Sequence, residues 1–319
     1  MKELTNEERC LLQWIMEETE KGNVDNISRT VFYEKFYKRH REIKWSFLAA
    51  MVSRNAGYNM CDLKGEWVGR VLSEKTRSWL FYTYERANWL IFSDAYPQLL
   101  LYEQSKSTGK PLFHLLPYLN VSRFMKREWE VFWMVKDEER LWTSLIINEQ
   151  HVIQKPVIEH PFLKRKVFRS LPFKMQEWFH FSTVLFPTRN GEIYGLSVNG
   201  FRSVENRILL GRRLGWLLFQ SKWKDDFLDF ASHTDHTGSR FDYEKYIYPW
   251  KRKDTPFLRM AYPIIKHGRG KLPDWSLKKK KLGQFYKPIS LPEQVLLTDW
   301  YEKKQKQMQV GILLEELFM

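Results

Sequence analysis

Apolar residues recur at spacings of three and four positions along much of the chain, a pattern typical of amphipathic helices. In residues 6–21, Leu11, Leu12, Ile15 and Met16 form one such stripe, and charged residues occupy the opposite face. The same spacing predicts further helices over residues 31–39, 45–53, 121–133, 141–150, 174–185, 204–220 and 292–317. The chain is therefore expected to be mainly α.

Two strongly apolar stretches carry polar residues inside them. The polar residues are Arg54, Asn55, Asn59 and Asp62 in the first stretch (45–62), and Glu85, Asn88 and Asp94 in the second (79–97). Burying such groups costs about 1–3 kcal/mol each unless they are hydrogen-bonded, so they are expected to form a satisfied network. That network is either a site for a small polar or phosphorylated ligand or a structural fastener that fixes the register of the helices.

Local turn signals set the expected ends of these two helices. The sequence Asn-Ala-Gly-Tyr-Asn at 55–59 is rich in turn residues, which places Arg54 at a helix C-terminus. Pro97 is expected to interrupt the second helix after Asp94, because proline lacks the backbone donor that a helix needs. If that helix begins near Ser73, Glu85, Asn88 and Trp89 share one face.

Residues 191–200 alternate between apolar and polar positions and are punctuated by glycine, which predicts a short hairpin. The amino-acid composition becomes more basic and richer in loop-forming residues after about residue 225. We therefore expect an irregular multi-helix bundle over residues 1–225. A basic, loop-rich portion over residues 226–319 is expected to pack on it and to end in a helix.

The charge of the chain narrows the class of partner. The net charge is +14, and residues 251–287 alone hold twelve basic side chains against two acidic ones. A balance this basic favours an anionic partner such as nucleic acid, an acidic protein or an anionic membrane surface. Aromatic residues make up 16% of the chain. Most of their rings are expected in a packed interior.

The compartment follows from smaller signals. The chain has two cysteines, Cys10 and Cys61, without metal-site spacing, as is common in a reducing cytosol. The polar N-terminus lacks the apolar core of a signal peptide, and no apolar run is long enough for a membrane span. We expect a soluble cytoplasmic protein.

The densest polar cluster is the segment 232–240. His233, Asp235 and His236 are residue types that ligate metals or act as general bases, and Arg240 closes the segment. A loop of Thr, Asp, Gly and Ser also satisfies its own backbone, so a structural turn is the alternative. The sequence fixes no further ligand, and it contains no common nucleotide-binding, hydrolase or protease motif. No metal, cofactor or catalytic residue is assigned.

A second candidate surface is the run Lys278, Lys279, Lys280 and Lys281, with Trp275 and Tyr286 nearby. Cations interleaved with aromatic rings are typical of nucleic-acid binding, where the cations meet phosphates and the rings stack on bases. The alternative is a solvated run of charge without a ligand.

Several longer blocks resemble a known family. They include Phe36-Tyr-x-Arg-His-x-Glu-Ile-x-Trp45, Met51-Val-Ser-Arg-Asn-x-Gly-Tyr-Asn-Met60, Asn88-Trp-Leu-Ile-Phe-x-Asp-Ala-Tyr-Pro97, Ile146-Ile-Asn-Glu-Gln150 and His236-Thr-Gly-Ser-Arg240. The chain resembles, over most of its length, an uncharacterised family from Bacillus and its relatives that is classed as a domain of unknown function. The resemblance implies a cytoplasmic protein of Gram-positive origin and no particular activity.

Three functions remain open at this point. The leading hypothesis is a non-enzymatic protein that binds nucleic acid or another polyanion through its basic C-terminal segment. The second is an enzyme or small-ligand binder that uses the polar residues of the two apolar stretches, with His233 and His236. The third is a protein–protein adaptor. The sequence decides neither the oligomeric state nor the choice between DNA and RNA.

Overall fold

The computed structural model describes residues 3–163, 165, 183–198, 200–248, 255–270, 273–278 and 281–318, with backbone alone for residues 278, 308, 309 and 311–318. The first half of the chain forms α1 (Asn6–Gly22), α2 (Asn26–Arg39), α3 (Lys44–Asp62), α4 (Glu66–Val71), α5 (Glu74–Thr108), a 3-10 helix (Phe113–Leu119), α6 (Arg123–Val135), α7 (Glu138–Ile153), a π turn (Gln154–Ile158) and α8 (Pro161–Leu163).

The second half begins with a hairpin of β1 (Thr183–Pro187) and β2 (Ile193–Ser197) and continues with α9 (Val204–Phe219), α10 (Lys224–His233), α11 (Phe241–Ile247) and α12 (Leu258–Ala261). Two short 3-10 helices follow (Trp275–Lys278 and Gly283–Tyr286), and α13 (Thr298–Phe318) closes the chain. The mainly α prediction is confirmed.

Side-chain caps fix where several helices begin. Thr5 and Glu8 form a capping box at the start of α1, and Ser73 and Ser122 accept hydrogen bonds from backbone N–H groups at the starts of α5 and α6. The far end of α5 is closed by Gly109, whose φ of 68° lies in the left-handed region that favours glycine.

The main core is rich in aromatic rings from α2, α3, α5 and α6. Tyr33 meets Trp45 edge to face at 5.5 Å between ring centroids, and Tyr102 stacks on Trp129 at 5.4 Å. A smaller hydrophobic cluster joins the end of α3, the first half of α5 and the π turn, and its buried members include Met60, Leu80, Phe81, Leu90 and Val157. Many of the abundant aromatic side chains are therefore packed in the interior.

Helix α3 is continuous from Lys44 to Asp62, so the expected helix end at Arg54 is wrong. The residues that suggested a turn make tertiary contacts instead. Asn55 accepts a hydrogen bond from the Leu185 N–H (3.0 Å) and donates one to the Thr183 carbonyl (3.3 Å), which ties α3 to β1.

Gly57 has a separate reason to lie within α3. A Cβ at this position would lie 2.5 Å from Asn26 Oδ1 and 2.7 Å from the His236 ring, which is closer than real contacts allow. Glycine therefore permits the close approach of α2 and the segment after α10.

Helix α5 passes through Pro97 without a break, so the expected interruption at residues 94–97 is also wrong. Proline cannot donate to the carbonyl four positions earlier, which belongs to Ser93. That carbonyl accepts a hydrogen bond from Arg269 Nη1 at 3.2 Å, so a distant side chain supplies the missing donor.

The predicted hairpin near residues 191–200 is confirmed, and β2 lies within that range. The strands are antiparallel, with Leu185 opposite Gly195 in the register. The helix expected over residues 174–185 is wrong at its end, because Thr183 to Leu185 belong to β1, and residues 174–182 lie outside the described part of the chain.

The described residues between 255 and 297 form what we call the strap. Apart from short helical turns the strap is irregular, and its side chains hold it on the helical body. Tyr262 stacks on Phe81 of α5 at 3.7 Å between ring centroids, and Arg259 forms an ion pair with Asp25 at 2.7 Å. Within the described residues, no helix combines the length and apolarity needed to cross a bilayer.

Candidate functional site: a basic and aromatic cleft

The polar residues of α3 point toward the segment that follows α10. Arg54 is buried, pairs with Glu34 of α2 at 2.7 Å, and donates to the carbonyls of Thr234 (2.8 Å) and Ala231 (3.2 Å). Its guanidinium thereby ties α2 and α3 to α10.

Asn59 and Asp62, further along α3, meet Arg240. The Arg240 guanidinium donates to both Asp62 carboxylate oxygens (2.9 and 2.7 Å), to Asn59 Oδ1 (3.0 Å) and to the Tyr243 hydroxyl (2.6 Å). The paired carboxylate raises the pKa of Arg240 despite its burial. Arg240, which the sequence placed in a separate cluster, thus joins Asn59 and Asp62 in a hydrogen-bonded interior.

The histidine cluster is divided between surface and interior. His236 is buried with Nε2 2.8 Å from Asn26 Oδ1, and desolvation lowers its pKa, so the ring is neutral. His233 and Asp235 are exposed. Among the residues that the structure describes, no group of three or more His, Cys, Asp and Glu is arranged to hold a metal ion.

The polar residues of α5 are separated along the helix. Glu85 is buried and pairs with Arg29 of α2 at 2.6 Å, whereas Asn88 donates to the Tyr84 carbonyl within its own helix. Asp94 belongs to a third group, with Arg269 of the strap. The structure therefore distributes the sequence-predicted ligand residues over several internally paired networks.

The aromatic residues beside the lysine run anchor the strap. Trp275 stacks on His151 at 4.1 Å and donates to Asn148 Oδ1 at 3.0 Å, and the Tyr286 hydroxyl lies 2.7 Å from Ser144 Oγ. Lys281 is exposed. Lys279 and Lys280 lie outside the described residues, and only the backbone of Lys278 is described.

A different surface combines open space with cations and rings. A cleft of about 430 Å³ lies between the first half of α5, the segment from the π turn through α8, and the strap. Its lining residues are Trp79, Tyr82, Arg86, Pro156, His160, Phe162, Leu163, Lys266, His267 and Gly268. None of these ten described residues carries a carboxylate, so the lining is cationic.

Three elements hold the rings and cations of the cleft in place. Trp79 of α5 meets Phe162 of α8 edge to face at 4.6 Å, and the His267 ring of the strap lies 5.4 Å from the Tyr82 ring. Arg86 donates to the Gly268 carbonyl at 2.8 Å, which fixes the strap against α5.

The charge state of the cleft follows from burial. Lys266 is exposed, and Arg86 stays charged although burial lowers its pKa, because guanidinium is not deprotonated in proteins. Desolvation, and then the positive charge of Arg86 and Arg29, lower the pKa of His267 to about 4. At neutral pH the cleft therefore presents the two fixed cations Arg86 and Lys266, with His267 in its neutral form beside them.

Two polar atoms of the lining residues are buried without a hydrogen-bond partner among the described residues, Trp79 Nε1 and His267 Nε2. Such atoms are costly to leave unsatisfied, at about 1–3 kcal/mol each. Because both atoms are buried, they are closed to a ligand in this conformation. The cations and aromatic rings of the lining suit a ligand that carries an anion and a flat ring.

Part of this cleft is visible as a pattern in the sequence. Trp79, Tyr82, Arg86 and Trp89 follow each other at spacings of three, four and three residues, so they line one face of α5. Nothing in the sequence joins that stripe to His160 or Lys266, which reach the cleft only through the fold.

Comparisons with known proteins agree with the resemblance seen in the sequence. The family described as "Protein of unknown function (DUF2515)" matches residues 21–302. The "Uncharacterized protein YppC" of Bacillus subtilis (strain 168) is 50% identical over 309 residues, which cover 97% of this chain and 96% of that protein. No solved structure matches the chain.

Proposed function

The chain belongs to the DUF2515 family of proteins of unknown function, and we propose that it binds single-stranded nucleic acid. The observation that carries the proposal is the cleft lined by Trp79, Tyr82, Phe162, Arg86 and Lys266, whose described lining residues include no carboxylate. Proteins that bind single strands combine cations that follow the phosphates with rings on which bases stack.

The size of the cleft favours an unpaired base over a duplex. A volume of about 430 Å³ is at the small end of ligand sites, which span roughly 300–1,000 Å³. One base with its phosphate is a ligand of this scale, and a base reaches such a cleft only when it is unpaired. The bases of a duplex are already stacked and paired, so a duplex would offer the cleft only its phosphates.

The net charge of +14 supports the same proposal at longer range. A basic protein attracts a polyanion before contact, and the exposed Lys266 and Lys281 lie on the same strap. The polar residues of α3 offer less support for a ligand-binding function, because Arg54, Asn59 and Asp62 are occupied by protein partners.

The test is fluorescence anisotropy of the full chain with labelled single- and double-stranded DNA and RNA over a salt series. We expect single strands to bind more tightly, with log K falling linearly with log salt at about −0.7 per phosphate contacted. A polyphosphate probe carries the charge without the bases. Equal affinity for polyphosphate and single strands would contradict the stacking contribution, and no binding at about 50 mM salt would overturn the proposal.

The matched variants are Lys266→Glu in the cleft and Lys110→Glu, which reverses an exposed lysine after the far end of α5. Lys266→Glu is expected to weaken binding about tenfold, as for loss of one charge-assisted contact of roughly 1.5 kcal/mol. Lys110→Glu changes the net charge equally and is expected to have a much smaller effect. Equal effects would place binding outside the cleft. Reversal of all four lysines at 278–281 tests the neighbouring lysine run separately.

A further inference from the structure

The proline in α5 creates a position for a donor from outside the helix. Pro97 has no N–H, so the Ser93 carbonyl lacks its helical partner. Arg269 Nη1 donates to that carbonyl at 3.2 Å, although the two residues are 176 positions apart. The proline thus leaves an acceptor on the surface of α5 that the strap satisfies.

The guanidinium group of Arg269 donates further hydrogen bonds to neighbouring acceptors. It donates to the Leu119 carbonyl (3.1 Å) and the Asn120 carbonyl (2.9 Å) at the end of the 3-10 helix, and to Asp94 Oδ1 (2.6 Å). One side chain therefore fixes the strap to two elements of the body, which a lysine with a single ammonium group would not reproduce.

The second carboxylate oxygen of Asp94 is also hydrogen-bonded within the protein. Its Oδ2 accepts from Gln98 Nε2 (2.8 Å) and Asn148 Nδ2 (2.6 Å), and the residue is buried. Desolvation raises the pKa of Asp94, while Arg269, Asn148 and Gln98 oppose that change. The carboxylate therefore has a fixed position to offer Arg269.

The strap residues that line the cleft immediately precede Arg269 in the chain. Lys266, His267 and Gly268 line the cleft, and Arg86 holds Gly268 from the α5 side. A strap anchored at Arg269 leaves these three residues little freedom, because residue 268 is bonded to α5 and residue 269 to Asp94.

We propose that Arg269 and Asp94 are positioning residues for the cleft, which hold Lys266 and His267 in place to meet a nucleic-acid ligand. The inference rests on the proposed function for its ligand, but the anchoring itself concerns only the chain. Pro97 contributes by leaving the Ser93 carbonyl available to Arg269.

The central variant is the double substitution Arg269→Ala with Asp94→Asn. It removes the anchor without leaving an unpaired buried carboxylate and without changing the net charge, so the fold is expected to survive. The matched control is Arg259→Ala with Asp25→Asn, which removes another ion pair between strap and body, at 2.7 Å, with the same charges. We expect the central variant to lose about tenfold or more in affinity for single strands, and the control to lose little.

A double-mutant cycle separates positioning from general destabilisation. Lys266→Glu is expected to weaken binding about tenfold in the natural chain and much less in the Arg269→Ala, Asp94→Asn background, because Lys266 there no longer has a fixed position. Full additivity of the two changes, or unchanged affinity in the unanchored variant, would overturn the inference.

Limited trypsin digestion tests the anchor without any nucleic acid. Cleavage after Lys266 is expected to be at least about tenfold faster in the unanchored variant than in the natural chain or the Arg259 control, since proteolysis follows local opening. Equal cleavage rates would overturn the anchoring. Faster cleavage in a chain that binds no oligonucleotide would leave the anchor standing and reject the proposed function.

Discussion

The polar face of α3 and the basic cleft on α5 hold similar residue types, but those near α3 are buried in ion pairs and those of the cleft are not. Arg54 of α3 and Arg240, which packs against α3, are buried, and each meets a carboxylate within 2.7 Å. In the cleft, Lys266 is exposed, Arg86 bonds a backbone carbonyl, and the described lining residues include no acid.

The difference shows how a polar cluster that builds the fold is distinguished from one that is available to a ligand. Near α3, the guanidinium groups of Arg54 and Arg240 each join two or three elements of the protein itself. The cleft holds Arg86 and Lys266, and none of its described lining residues supplies a carboxylate to pair with them. A charged side chain whose ion-pair and hydrogen-bond partners all come from the chain itself is not available to a ligand. The presence of such internal partners therefore says more about function than the number of polar side chains.

The largest expected effect is on the α3 side. Arg240→Ala removes the partner of Asp62 and Asn59 and is expected to destabilise the protein by about 3–5 kcal/mol, as for one member of a buried ion pair. Urea unfolding measures this change. Arg9→Ala on the exposed face of α1 is the control and is expected to change stability by about 0.5 kcal/mol or less.

On the cleft side, the next effect is on binding. Tyr82→Ala is expected to weaken single-strand binding by about 1–3 kcal/mol, the usual contribution of one stacked base. Tyr82→Phe keeps the ring and serves as the control, measured by the same anisotropy titration. The comparison between the two regions would break down if Tyr82→Ala bound normally, or if Arg240→Ala lost binding while still folded.

The smallest effect is expected for the pH dependence of stability, because solvent around the half-buried His267 screens the interactions that lower its pKa. In the unfolded chain the pKa of His267 is near 6.5, whereas in the folded protein desolvation and Arg86 lower it to about 4. As the pH falls from about 6.5 to about 4, the unfolded state takes up the proton first, so this residue reduces stability over that range.

The measurement is the thermal midpoint at a series of pH values for the natural chain and for His267→Gln. The substituted protein is expected to lose less stability on acidification, because glutamine does not titrate. Parallel curves would show that His267 is not held neutral by its surroundings, and it would then add a positive charge to the cleft on mild acidification.

The helical body was predictable because its apolar stripes obey one period. The errors arose where tertiary contacts override local signals. Asn55 and Gly57 are turn residues by propensity, but one ties α3 to β1 and the other allows α2 to approach closely. Pro97 stays within α5 because Arg269, far along the chain, serves the carbonyl that proline leaves free.

The cleft was beyond sequence reasoning for a similar reason. Its α5 stripe is readable at helical spacing, but Phe162 and Lys266 join it from segments about 80 and 180 positions later. Asn59 and Asp62 were grouped with the polar residues of α5, whereas Arg240, their actual partner, was assigned to a separate segment. Their burial, which decides what they do, depends on elements that no local pattern specifies.

Helix α5 spans about 50 Å, and its two halves belong to different hydrophobic clusters. The half that contains Leu99 and Tyr102 is surrounded by the main core, whereas the half that carries the cleft rests on the smaller cluster. Amide hydrogens around Leu99 should exchange only when the whole protein unfolds, and those around Tyr82 through a smaller opening. One continuous helix would then contain a half with slow amide exchange and a half with fast exchange. The cleft would open locally while the rest of the molecule stays folded.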